Sequence, residues 1–260
     1  MGSSLLANNG LNTLVSVALI IVGILIIVAS LWAGIARIKI FTSYNKFNKI
    51  ENQSGLTGET AALLLLDRAG LTDVKVKPLG FFRMLMYGNS YSLGKKTIYL
   101  RKNIFNKTSI TAVGLAVQKV GLAIMHQQKD KKLKARSIVQ PLIVFAPVMF
   151  IPISIMGFLI DLFLFNMNGI SSLIGVAIAS VLYIAAFVFV ILNIPVEKKA
   201  NTIAMDIMTQ TNFLTQEERS DISVVFKAYI SAYVADFVIS ILYIIQFILK
   251  GIAKLLNASK

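Results

Sequence analysis

Cysteine is absent from the 260 residues. That excludes a disulfide framework and any thiolate metal site. Histidine occurs once, at His126, so no site here can rest on paired imidazoles. Acidic residues are scarce, 12 against 26 Lys and Arg. Internal repeats and low-complexity tracts are lacking. Charge is missing altogether from three long runs, residues 11–34, 138–160 and 170–194, and a fourth, 228–249, contains only Asp236.

What is present is apolar. Hydrophobic residues make up 56% of the chain and the mean hydropathy is +0.74, too high for an ordinary soluble domain. A hydrocarbon core about 30 Å thick needs roughly 20 apolar helical residues to cross it. All four runs meet that length without the alternation of barrel strands, so helices are expected. The fold class is therefore mainly α, a four-helix integral membrane protein, with a small α+β cytoplasmic domain between the first two spans. The first run has no basic n-region and is too long for a signal h-region, so it reads as a retained anchor.

Positive charge is confined to one segment. Residues 35–137 hold 19 Lys and Arg against 5 Asp and Glu; the rest of the chain holds 7 of each. The positive-inside bias places 35–137 in the cytoplasm and the N-terminus outside. The expected layout is an anchor over 1–34, the basic cytoplasmic domain over 35–137 and a membrane hairpin over 138–194. A cytoplasmic helix over 195–221 follows, then a fourth membrane helix with a basic tail over 222–260. Lys250, Lys254 and Lys260 then lie outside, against the bias. The fourth segment is either re-entrant or a tolerated exception. Asn166–Gly169 suits the outer hairpin link, with Asp161 near the outer interface, and Pro147 and Pro152 are expected to kink the first arm.

Within the cytoplasmic domain, residues 54–71 predict a helix capped by Thr57, with Glu59 in its first turn and Gly70 as its stop. Residues 74–79 predict a half-exposed strand, and 90–102 two short strands around Gly94. Ser109 opens a helix over 109–126. That helix includes AVQKVGLAIMH, residues 116–126. Positions 118, 119 and 122 have the spacing of the metalloprotease H-E-x-x-H helix. There, two His one turn apart meet one zinc and the Glu serves as general base. Here those positions are Gln118, Lys119 and Leu122.

Five blocks in order carry a resemblance. They are SGLTGETAALLLLDRAGLTDVKV from Ser54, KKTIYL from Lys95, SITAVGLAVQKVGLAIMH from Ser109, PVEKKANTIAM from Pro195 and NFLTQEE from Asn212. Together they resemble the bacterial membrane-embedded neutral zinc metallopeptidases, whose layout is similar to that of HtpX-like membrane proteases. The resemblance covers about residue 40 to 250 and makes the basic segment a metallopeptidase-like domain with a degenerate H-E-x-x-H helix. It implies a third zinc ligand at Glu197 and an acid at the position of Lys199. Glu197 alone keeps its residue type.

The predicted cofactor is none, the zinc of the family being lost. An amide, an ammonium and a hydrocarbon cannot replace two imidazoles and a general base. The expected counter-charge for Glu197 is an ammonium, Lys119 before Lys199; the alternative is a solvated Glu197 at a helix start. His126 is either a relocated ligand or a helix-end histidine. Asp236, an acid inside an apolar run, is a candidate for transport or relay. The function expected is that of a catalytically inactive metallopeptidase-like membrane protein, a binding or scaffold subunit of a membrane complex. The alternatives are an active zinc peptidase with a rebuilt site and a transport or channel subunit using Asp236. Expected partners are the lipid bilayer, anionic inner-leaflet lipid and another membrane protein. Nucleic acid is not expected, because the charges are scattered and stacking aromatics are lacking.

Overall fold

The computed structural model describes residues 2–81, 88–163 and 170–258. The side chains of residues 2–9 and 257–258, and of most positions from 143 to 183, also lie outside the described residues. The Asn166–Gly169 link and the side chains of Asp161, Pro147 and Pro152 are among these. The chain is mainly helical with a small sheet. In order it forms α1 (Gly2–Phe47), α2 (Gly58–Arg68), β1 (Lys75–Pro78), β2 (Ser90–Ser92) and β3 (Thr97–Leu100). There follow α3 (Lys102–Phe105), α4 (Ile110–Gln127), α5 (Lys131–Phe163), α6 (Ile170–Thr211) and α7 (Gln216–Ala258).

The chain divides into two compact units, Met1–Ile40 with Ala228–Lys260, and Phe41–Lys227. In the first, Val22, Ile26 and Ala29 of α1 cluster with Leu242 of α7, and Val238, Ile239 and Leu249 pack against them. Trp32 Nε1 donates to Ser231 Oγ at 3.1 Å, and Arg37 Nη2 to Asp236 Oδ1 at 2.6 Å. Asp236, the candidate for transport or relay, is thus paired. Among the described residues two helices are long and apolar enough to cross a bilayer, Gly10–Phe47 and Gln216–Leu256. Only 22% and 11% of their apolar windows are buried within the chain. A core helix of a soluble domain would be mostly buried, so these surfaces suit lipid. Four spans were expected; the runs 138–160 and 170–194 fall in part on residues whose side chains are not described.

In the second unit the local expectations are met closely. Thr57 Oγ1 accepts from Thr60 N at 3.1 Å, capping α2, and Gly70 follows its end at φ +66°. The strands form one sheet in the order β1-β3-β2, with β1 parallel and β2 antiparallel to β3. Ile98 pairs with both Val76 and Tyr91 and is fully buried. Between β2 and β3 the left-handed residue is Lys96, at φ +42°, rather than Gly94. Ser109 Oγ accepts from Ala112 N at 3.2 Å and starts α4. Nearly every residue from Ile110 to Met125 is buried, the mark of a central helix enclosed on all sides.

All four expected boundaries fall inside helices. α1 continues past Gly34, the 137/138 division lies within α5, α6 runs through Pro195, and the 221/222 division lies within α7. A proline removes one N–H, but the hydrogen bonds on either side carry the helix on.

Candidate functional site

The site forms where α4 lies against α6. A Cβ added at Gly121 would stand 2.9 Å from the carbonyl oxygen of Ala200. Only glycine allows this approach, and it brings Glu197, one turn before Asn201, to the face of α4 that holds Gln118 and Lys119.

Glu197 is buried and fully engaged. Its Oε1 accepts from Arg136 Nη1 at 2.5 Å, and its Oε2 from Gln118 Nε2 at 2.8 Å. Lys119 Nζ stands 3.9 Å from Oε2. Arg136 Nη1 also donates to Asn193 Oδ1 at 3.0 Å, and Gln118 Nε2 to Asn201 Oδ1 at 2.6 Å. Arg136 Nε is buried without a partner among the described residues. Burial alone would raise the pKa of Glu197; Lys119, Arg136 and the amide of Gln118 outweigh it and hold the carboxyl below its usual range. Burial lowers the pKa of Lys119. Glu197 acts against that shift and Arg136 adds to it.

The structure therefore brings Gln118, Lys119 and Glu197 together. Leu122, one turn beyond Gln118 on the same face of α4, is buried and offers no lone pair; the remaining candidates lie elsewhere. Lys199 Nζ donates instead to Asp130 Oδ2 at 2.7 Å, so it is not a counter-charge for Glu197. Tyr91 OH and His126 Nδ1 share a hydrogen bond of 2.8 Å. His126 and Tyr91 line a cavity of about 370 Å³ with Asp73 and Lys96, which pair at 2.5 Å. Asp236 belongs to the other unit.

Sequence reasoning missed Arg136, Asn193 and Asn201. Asn193, Glu197 and Asn201 recur every four residues, which puts them on one face of a helix, and that signal was available. Arg136 gave none, being one of several basic residues before an apolar run.

These residues do not fit a zinc ion. Zinc needs deprotonated lone-pair donors, three from protein in a catalytic site. Both Glu197 oxygens and the side-chain oxygens of Asn193 and Asn201 already accept from N–H groups, two of them from a guanidinium. Among the described residues no three His, Cys, Asp or Glu side chains gather in one place. With one negative and two positive groups, the pocket repels a dication.

Comparison with known proteins adds what geometry alone does not. A family described as "Putative neutral zinc metallopeptidase" matches residues 19–251. The "Putative membrane protease YugP" of Bacillus subtilis (strain 168) is 28% identical over 224 residues, which are 85% of this chain and 90% of that protein. No solved structure matches.

Proposed function

The chain belongs to the neutral zinc metallopeptidase family, and from that membership we propose that it is a membrane-embedded member that no longer cleaves peptides. One observation carries this: the carboxylate of Glu197 is taken up by Arg136 at 2.5 Å and Gln118 at 2.8 Å. A water-activating site needs a metal or a free base beside the scissile bond. The N–H donors of Arg136, Lys119 and Gln118 surround that carboxylate; neither the guanidinium nor the amide takes up a proton near neutral pH, and Lys119 does so only where its lowered pKa falls below that pH.

In this proposal α5 and α6 span the membrane as a hairpin, which with α1 and α7 makes four spans, with residues 35–137 in the cytoplasm. The charge-free runs 138–160 and 170–194 support it. The chain then acts as a binding or scaffold subunit for another membrane protein. What favours binding over transport is the pairing of Asp236 with Arg37, which leaves that acid no unpaired charge to relay.

The test is proteolysis by the full-length protein in detergent, on casein and on unfolded membrane-protein segments. No cleavage is expected, and a chelator should leave the melting temperature unchanged. Cleavage that disappears in Glu197→Gln would restore the active-peptidase alternative.

A further inference from the structure

The corner between α4 and α5 is tightly built. Asp130 N donates to Met125 O and Lys129 N to His126 O, each at 3.0 Å, with Lys129 left-handed at φ +56°. This closes α4. Asp130 Oδ1 then accepts from Leu133 N at 2.9 Å, capping α5, while Oδ2 holds Lys199 of α6. One aspartate therefore ends one helix, starts the next and ties both to a third.

A cavity of about 310 Å³ lies at this corner, lined by Met125, Asp130, Lys131, Lys132, Pro195, Val196 and Lys199. That is at the lower end of the range of about 300–1,000 Å³ seen for small-molecule sites. Met125 and Val196 give it a buried apolar floor. Its rim carries three lysines and one aspartate. Lys199 is spent on Asp130, whereas Lys131 and Lys132 are exposed and form no ion pair among the described residues. The opening is therefore a net cation site with two uncommitted ammonium groups.

Its position selects the ligand. Six residues beyond Lys132 the charge-free run of α5 begins at Ile138, and the charge-free run of α6 ends just before Pro195. At 1.5 Å per helical residue, the cavity lies within about 10 Å of the end of both runs. Ile138 and Leu142 of α5 and Ile191 of α6 are exposed there. A free phosphate would use the lysines and leave those apolar surfaces uncovered. A lipid would use both.

We propose that the corner cavity at Lys131, Lys132 and Lys199 binds the phosphate headgroup of an anionic phospholipid, whose acyl chains run along Ile138, Leu142 and Ile191. Basic pockets at the cytoplasmic ends of membrane helices are chemically suited to such headgroups. The inference rests on the reading that α5 and α6 span the membrane.

The experiment uses the full chain, delipidated in detergent, with native mass spectrometry of added phosphatidylglycerol and phosphatidylcholine. Phosphatidylglycerol is expected to be retained over phosphatidylcholine, and Lys131→Gln/Lys132→Gln should weaken it by about tenfold or more. Lys77→Gln/Lys95→Gln removes equal charge elsewhere and should change nothing. Equal loss in both double variants, or no headgroup preference, overturns the site. So does full displacement of the lipid by millimolar inorganic phosphate, which would make it a free-phosphate site. A single cysteine introduced by Asn168→Cys, in a chain without native cysteine, checks the premise separately by labelling of intact cells with a membrane-impermeant maleimide. Absence of labelling from outside refutes the spanning hairpin, whereas labelling without a preference for phosphatidylglycerol refutes only the lipid site.

Discussion

Glu197 holds one negative charge between two buried positive ones, and that imbalance sets what each substitution does. Glu197→Gln leaves Arg136 and Lys119 facing each other without an anion, and should destabilise by about 3–5 kcal/mol. Lys119→Met removes the surplus cation and should fall within about 1 kcal/mol of wild type, on the stabilising side. Thermal unfolding in detergent separates the two, and a Glu197→Gln variant as stable as wild type would contradict this account. The pH dependence has a definite sign. The folded pKa of Glu197 is lowered, so its contribution is complete above about pH 4.3, the ordinary glutamate value, and is lost as pH falls through the lower folded value. The folded pKa of Lys119 is also lowered, so wild type gains stability as pH rises from that value toward about 10.4. Lys119→Met lacks that gain, and its advantage should close at alkaline pH. From sequence, Glu197 and Lys119 were legible as neighbours because both sit on recognisable blocks. Arg136 was not, since it lies 61 residues from its partner and only packing unites them.

At the scale of elements, local rules carried far. Thr57, Ser109 and Gly70 marked helix ends because a hydroxyl that accepts an N–H and a residue that takes positive φ act over three or four residues. A boundary between lipid and water leaves no mark on backbone hydrogen bonding: α1, α5, α6 and α7 run as continuous helices through the expected limits at 34/35, 137/138, 194/195 and 221/222. Gly121 is the element-scale test of the site. Its Cβ would press on the backbone of Ala200 at 2.9 Å, and backbone cannot swing aside as a side chain can. Gly121→Ala should force α4 and α6 apart and cost about 1–3 kcal/mol. A variant that melts as wild type does would mean that the close contact does not hold the site.

For the whole molecule, composition was the strongest guide. A mean hydropathy of +0.74 demanded lipid-facing surface, and the two apolar helices present it. The family was legible from five ordered blocks, because fold and sequence order persist together. The partners of Glu197 were legible only in part: Gln118 and Lys119 lie in the quoted helix, whereas the guanidinium from α5 and the two asparagines come from outside it. The most direct measurement is the zinc content of the purified full-length protein beside that of a variant with Gln118→His, Lys119→Glu, Leu122→His and Arg136→Leu. The account predicts far less than one zinc per wild-type chain and about one in the variant, whose ligands then meet the requirement of a catalytic site. Stoichiometric zinc in wild type, lost on Glu197→Gln, would contradict it.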